Sequence, residues 1–560
     1  MLRRTIPFAF AAYKTPPIAN ERMENFEPGS EAATGTLAAC KAVRGETKDC
    51  PIIIGGKRYT TKDTFKRTMP TDHSVTIATS YNADDKLAAQ AVETAIEAGK
   101  DWSRMSFRDR SAIFLKAAHL LSTKYRHAMR AATMMGQGKN PWQAEIDCVA
   151  EACDFLRWNV HFAEQLYDQQ PLSVPNSGIW NTTEYRPLEG FVTAITPFNF
   201  TAIAANLAAT PALMGNTVVW KPSPTAVLSN YLMMEIFEEA GLPPGVINFL
   251  PCGPEVMDKS VNADPRLAAF VFTGSTKVFL DINKSIYSRL EKYNNFPRIS
   301  GETGGKDFHI IHPSADLKYA AAGTIRAAFE FQGQKCSACS RAYVPKSVWG
   351  EFKEHLLTAH KQIKMGQPDD FENFMCAVID QTSFEKNKKY IDLAKADSAN
   401  YTVIAGGDYD GSKGNFIPPT IIETKDPKGR LMTEEIFGPV LTVFVYDDSK
   451  PDFWKEVCGL ADTSTKYGLT GAIFSRDRQP IIEANDYLRY AAGNYYINDK
   501  CTGAVVGQQP FGGSRHSGSN DKPGAQQFVT RFVSARSIKE TFDVAPTISY
   551  PHQLPDKYII

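Results

Sequence analysis

Three short strings place reactive side chains in surroundings that suit chemistry. Gly333-Gln334-Lys335-Cys336 sets a thiol beside a glycine and a lysine. Nearby positive charge or a helix N-terminus would lower its pKa and make it a nucleophile. Without such neighbours a lone cysteine packs as a small apolar residue. Ser300-Gly301-Glu302-Thr303-Gly304-Gly305-Lys306 sets a carboxylate among three glycines. The string superficially resembles a phosphate-binding loop. The fit fails, because Ser300 stands at the first glycine position and Asp307, not Ser or Thr, follows Lys306. Thr196-Pro197-Phe198-Asn199 offers a side-chain amide, either a cap or a donor to a developing oxyanion.

These side chains need a scaffold, and the sequence outlines one. Short apolar runs at 191–196, 217–221 and 268–273 read as strands, and helical patterns separate them. That alternation predicts βαβ units around a parallel sheet, an α/β fold. Ser223 and Pro224 fit a helix start, with Leu228, Leu232 and Ile236 on one face and Gly241 at the stop. Residues 85–100 carry another amphipathic helical pattern. Asn199 follows the first strand and Gly274-Ser275 the third. Segments 180–186 and 528–537 read as long strands outside this pattern, either an oligomerisation element or ordinary edge strands.

Composition excludes several classes. Basic and acidic residues number 62 each, so the basic excess of a nucleic-acid binder is missing. The most apolar stretch, 201–220, carries Asn206, Pro211, Gly215 and Asn216, a poor membrane span. Ten cysteines run from Cys40 to Cys501 without framework spacing, which fits a reducing compartment. Cys336 and Cys339 form a lone C-x-x-C with no matching H-x₃₋₅-H, so no zinc site is expected. Residues 1–20 contain Arg3, Arg4 and Lys14 and no acid before Glu21, the pattern of a mitochondrial transit peptide or of a disordered tail.

Seven strings in order (TPFNF at 196–200, KPS at 221–223, FTGS at 272–275, ETGGK at 302–306, GQKC at 333–336, EEIFGPV at 434–440 and PFGGS at 510–514) resemble the aldehyde dehydrogenase superfamily. The resemblance covers essentially everything after about residue 50. The interval of 34 residues from Glu302 to Cys336 also matches that family. Within it, 198–216, 329–347 and 496–513 look like the branch acting on L-glutamate γ-semialdehyde, as does Phe279, where many relatives have glycine.

The resemblance implies a Rossmann-like cofactor domain (21–170 and 191–302), an α/β catalytic domain (303–514), and a small β oligomerisation element (171–190 and 526–542). It implies that Cys336 is the nucleophile, Asn199 an oxyanion donor and Glu302 the base that hydrolyses a thioester. Lys221, Ser223, Gly274, Ser275, Glu435 and Phe437 would hold NAD. Pro224 stands where NAD-preferring relatives often have an acid, which leaves NADP open as a second cofactor. Ser337, Gly503 and Ala504 would bind a substrate carboxylate, Phe200 and Phe511 would flank its methylene chain, and Glu151 would face its ammonium. The expected protein is a homodimer or higher homo-oligomer of the mitochondrial matrix, acting on a small molecule in proline catabolism. An acylating enzyme that uses coenzyme A commonly lacks the glutamate of ETGGK, and a non-catalytic relative would not need Cys336, Glu302, Asn199 and Lys221 together. A C-x-x-C redox protein would require Cys339 to be essential.

Overall fold

The structure, a computed structural model, describes residues 14–175, 177–542 and 548–553. Among these residues two seven-stranded sheets position the site. The first has Arg298–Glu302 at one edge, then Leu267–Thr273, Phe191–Ile195, Val218–Lys221 and Ile247–Phe249, all parallel; Ile52–Ile54 and Lys57–Tyr59 add antiparallel strands at the other edge. Every residue of Leu267–Thr273 is buried, as expected for a parallel strand covered on both faces. The chain order reverses between Leu267–Thr273 and Phe191–Ile195, so the carboxyl ends of these two strands open a crevice suited to a ligand. Helix Asp85–Trp102, capped by the Asp84 carboxylate, packs on this sheet.

The apolar stretch at 201–220 is core rather than membrane: it forms helix Thr201–Leu213, almost wholly buried, and strand Val218–Lys221. Among the described residues no helix is long and apolar enough to cross a membrane. Val227–Ala240 is a helix ending at Gly241 in the left-handed region, but Ser223 does not cap it. The Ser223 hydroxyl meets Thr225 Oγ1 at 3.0 Å, and a 3-10 turn, Pro224–Ala226, intervenes.

The second sheet runs Tyr401–Ala405, Thr420–Thr424, Val440–Tyr446, Cys339–Pro345, Asp307–Ile311, Thr470–Phe474 and Asn494–Ile497. All its strands are parallel except the edge strand Tyr401–Ala405. A third unit is a two-stranded antiparallel ribbon in which Ile179–Pro187 pairs with Val533–Thr541. The second strand starts later than the sequence suggests: Gln526–Thr530 is a short helix whose Phe528 and Val529 are buried. Burial of those two side chains overrides their strand preference.

The expected leader at 1–20 lies partly outside the described residues, which begin at Lys14. Lys14 donates to Asp168 at 2.7 Å, and Asn20 donates to Asp154 and to the Val506 carbonyl, both at 2.8 Å. A leader ending at residue 20 would take these contacts with it.

Candidate active site

A short segment, 303–306, joins the two sheets. Glu302 closes the last strand of the first sheet, and Asp307 opens the first strand of the second. Cys336 lies three residues before strand Cys339–Pro345. The loop ahead of it is strained: Phe331 and Gln332 are left-handed at φ 52° and 56° and Gly333 follows at 63°. Such non-glycine conformations cost about 1–3 kcal/mol each. Buried amides hold the loop in place. Gln332 Nε2 donates to the Gly138 and Ala377 carbonyls at 2.8 Å, Cys376 N–H donates to Gln332 Oε1 at 2.9 Å, and Ile379 N–H donates to Gln334 Oε1 at 2.8 Å. A side chain at Gly333 would meet the Gly438 carbonyl at 2.4 Å.

Asn199 lies just past strand Phe191–Ile195, and its Nδ2 donates to the Gln334 carbonyl at 3.1 Å. That bond uses one amide hydrogen and leaves the other for a ligand. Glu302 is buried, and neither carboxylate oxygen has a well-formed hydrogen bond. Burial raises its carboxyl well above the usual range, against the pull of the Lys522 ammonium and the Gly513 N–H. A protonatable carboxylate without fixed partners can exchange a proton with water.

The Cys336 thiol is not acidified as the sequence suggested. Burial pushes its pKa well up, and Asp307, Glu302 and Glu435 push further in the same direction. Lys335, the expected source of positive charge, is turned to Glu330 at 2.7 Å. The chain continues into a strand, so Cys336 does not itself open a helix.

Of the residues expected to hold NAD, Lys221, Ser223, Gly274 and Ser275 lie at the carboxyl ends of first-sheet strands, and Glu435 and Phe437 lie in the loop before strand Val440–Tyr446 of the second sheet. Ser275 caps helix Thr276–Tyr287, accepting from Val278 N–H at 3.4 Å, and Gly274 N–H donates to the Glu302 carbonyl at 3.2 Å. Phe279 on this helix stacks on Phe272 with centroids 5.4 Å apart, which seats the helix N-terminus over the strand. Lys221, half-buried at the end of its strand, has no hydrogen-bond or ion-pair partner among the described residues, and burial lowers its pKa. Glu435 Oε1 accepts from Gly305 N–H at 2.9 Å; a Cβ on Gly304 would come 2.3 Å from that carboxylate. Phe437 adopts φ 56° and meets Phe198 edge-on at 5.9 Å. Lys306, which gave 302–306 its likeness to a phosphate loop, is fully buried with its amine pushed down to about 7 by burial.

One cavity of about 340 Å³ brings together Cys336, Glu302 and all six expected substrate residues: Ser337, Gly503, Ala504, Phe200, Phe511 and Glu151. The Ser337 and Thr502 hydroxyls are 2.8 Å apart. Among the described residues neither Gly503 N–H nor Ala504 N–H donates to the chain. Glu151 has a buried oxygen without a partner, and its carboxyl is pushed up to about 8 by burial and by Asp147, against Lys139 and Lys335.

The aldehyde dehydrogenase family model matches residues 58–538. The chain belongs to the aldehyde dehydrogenase family. This aldehyde dehydrogenase is similar to the mitochondrial Delta-1-pyrroline-5-carboxylate dehydrogenase of Dictyostelium discoideum, 50% identical over 559 residues and covering 99% of each chain. The mitochondrial enzyme of that name from Homo sapiens is 47% identical over 536 residues, 96% of this chain and 94% of the human one. The crystal structure of the Delta-pyrroline-5-carboxylate dehydrogenase from Mycobacterium tuberculosis bound with NAD superposes with a TM-score of 0.93 at 45% identity, covering 97% of this chain and 100% of that one.

The cavity of this aldehyde dehydrogenase has walls that sequence reasoning did not supply. Asp147 and Asp154 come from the helical stretch that carries Glu151, and Asn20, Glu21 and Met23 from the segment before the first helix. Asp154 shares a helix face with Glu151 three residues earlier, a signal open to the sequence; nothing in the sequence marks Asn20. His309, Cys339 and Cys501 bring a ring nitrogen and two sulfurs within 4.8 Å of one another. Both ring nitrogens are already engaged: Nδ1 pairs with Thr324 Oγ1 at 2.9 Å, and Nε2 accepts the Cys501 N–H at 3.2 Å. The cluster is accounted for by polar packing beneath the site.

Proposed function

We propose that this chain oxidises L-glutamate γ-semialdehyde, the open form of Δ1-pyrroline-5-carboxylate, to L-glutamate with NAD, as a step of proline catabolism. The observation that carries the reading is the single cavity holding a thiol, a buried carboxylate and a set of free donors beside the Glu151 carboxylate. The substrate has the matching groups: an aldehyde, an apolar methylene chain, an α-carboxylate and an α-ammonium.

The donor set fits NAD. The capped helix at Ser275 favours an anion, which suits a pyrophosphate beside Gly274. The unpartnered Lys221 ammonium, with Ser223, suits ribose hydroxyls, and Glu435 and Phe437 suit the nicotinamide ribose and ring. With Pro224 in place of an acid, NADP is the weaker second choice.

In this reading the Cys336 thiol first gives its proton to water, and the thiolate sulfur then adds to the aldehyde carbon. The carbonyl oxygen becomes an oxyanion held by the free Asn199 amide hydrogen and the Cys336 backbone N–H. A bound NAD would supply the hydride acceptor, and loss of hydride from that carbon leaves a thioester on Cys336. Glu302 accepts a proton from water as the water oxygen bonds to the thioester carbon. The carbon–sulfur bond then breaks, releasing L-glutamate and the Cys336 thiolate. Gly503 and Ala504 N–H groups and the Ser337 hydroxyl hold the α-carboxylate, Phe200 and Phe511 line the chain, and Glu151 meets the ammonium.

We place the enzyme in the mitochondrial matrix, on the acid-free stretch before Glu21 and on relatives whose names call them mitochondrial. The ribbon, with Trp180 and Ile538 exposed beside the exposed Leu172 and Val174, suits burial in a homodimer or larger assembly. The test is NADH absorbance from the purified chain with L-glutamate γ-semialdehyde and NAD, with and without coenzyme A. NADH formed without coenzyme A supports the hydrolytic reading; NADH formed only with it supports an acylating enzyme.

A further inference from the structure

The segment before the first helix crosses the substrate cavity and belongs to its wall. Asn20, Glu21 and Met23 line it together with Cys336, Ser337, Gly503 and Ala504. The Asn20 side chain makes three bonds there. Its Nδ2 donates to the Val506 carbonyl and to Asp154 Oδ2, both at 2.8 Å, and its Oδ1 accepts from Gln508 Nε2 at 2.9 Å. Glu21 N–H donates to the other Asp154 oxygen at 2.6 Å. Both donors and the acceptor of one amide are therefore committed, two bonds to the loop 503–509 and one to helix Glu151–Tyr167.

Charge pairs fix the segment itself. Glu21 meets Arg126 at 2.7 Å and Arg157 at 2.5 Å, and Glu24 pairs with Arg130. Arg126 and Arg130 both also pair with the buried Glu145. These are hydrogen-bonded, partly or fully buried pairs, which hold geometry better than exposed ones.

We infer that Asn20 is a positioning residue for substrate recognition, fixing the spacing between the loop that offers the Gly503 and Ala504 donors and the helix that carries Glu151. The inference rests on the substrate reading above. In that substrate the carboxylate and the ammonium sit on one carbon, so the two binding groups must be held at one separation. Asp154 lies one helical turn from Glu151, and Val506 lies two residues from Ala504. Asn20 bridges the two elements at those points. An aldehyde without the α-carbon groups does not need this spacing, so the strap acts on selectivity and not on the chemistry at Cys336.

The experiment compares wild type, Asn20→Ala and Gln508→Ala in the full chain, with kcat and KM measured for L-glutamate γ-semialdehyde and for propanal. Asn20→Ala is expected to raise KM for the semialdehyde roughly tenfold while kcat changes less than about twofold. The preference for the semialdehyde over propanal in kcat/KM should fall by the same roughly tenfold. Gln508→Ala, which removes one neutral bond and leaves the Asp154 contact in place, should lower the preference by roughly threefold. If either variant loses efficiency equally on both substrates, or keeps the wild-type preference, Asn20 only supports the fold and the inference is overturned. A wild type with no preference for the semialdehyde overturns the substrate reading itself, and this inference with it.

Discussion

The Asn199 amide donates to the backbone carbonyl of Gln334 at 3.1 Å, so the end of a first-sheet strand grips the loop two residues ahead of Cys336. This bond joins the two halves of the site. It commits one amide hydrogen and leaves the second without a partner among the described residues. Asn199→Ala should therefore lower kcat by about 10²–10³ with a smaller change in KM, the usual cost of losing one oxyanion donor. Steady-state NADH production by the variant checks it; a kcat within about twofold of wild type would assign Asn199 to loop support alone.

Glu302 carries a pH prediction. Its carboxyl is raised by burial, so it takes up a proton at a higher pH than an ordinary glutamate does. Only the ionised form accepts a proton from water. Thioester hydrolysis should be gained as pH rises through the raised pKa and lost as pH falls through it, well above the ordinary value of about 4.3. Glu302→Gln should flatten that limb and accumulate an acyl-enzyme with substrate and NAD, visible by intact-mass spectrometry. Turnover near wild type with no adduct would give Glu302 a different role.

The core of the site was legible in the sequence because its parts sit in contiguous strings: Asn199 after a strand, Glu302 among glycines, Cys336 after Gly333. Their assigned roles came from family resemblance; the strings alone favoured a cap and a packed thiol and left the role of the carboxylate open. What was not legible depends on contacts across the fold. Lys335 is adjacent to Cys336 in sequence, yet its ammonium goes to Glu330, and the charges that reach the thiol are acidic. Gln526–Thr530 has strand-like residues, but packing of Phe528 and Val529 makes it a helix. Asn20 meets Val506 across nearly the whole chain, a pairing no local pattern encodes.

Cys336 offers a direct check on its surroundings. With burial and three carboxylates raising its pKa, the thiol of the unliganded enzyme should react with iodoacetamide more slowly than free cysteine at neutral pH. The rate should rise as pH passes beyond the free-thiol value of about 8.5. Cys336→Ala should abolish both alkylation at this position and NADH production while leaving dinucleotide binding intact. Fast alkylation at neutral pH would mean that a cation acts on the sulfur after all.

Any removal of an N-terminal leader should stop short of the strap. Thr15 binds helix Glu151–Tyr167 through Glu164, Lys14 binds Asp168 at the end of that helix, and Asn20 bridges Asp154 and Val506. N-terminal sequencing of the chain recovered from mitochondria should find a start at or before Lys14. A mature chain starting after Asn20 would show that the enzyme works without these contacts.

The proposed function stands on the match between one cavity and one substrate. Its most direct test is kcat/KM of the purified chain for L-glutamate γ-semialdehyde, succinate semialdehyde and propanal, measured with NAD on one preparation. Hydrogen bonds to a charged group contribute roughly 1.5–3 kcal/mol each, so aldehydes lacking the α-carboxylate should fall by at least about tenfold. A clear preference for L-glutamate γ-semialdehyde is the predicted result; propanal turned over as efficiently would contradict the carboxylate anchor at Ser337, Gly503 and Ala504 and the proposed function with it.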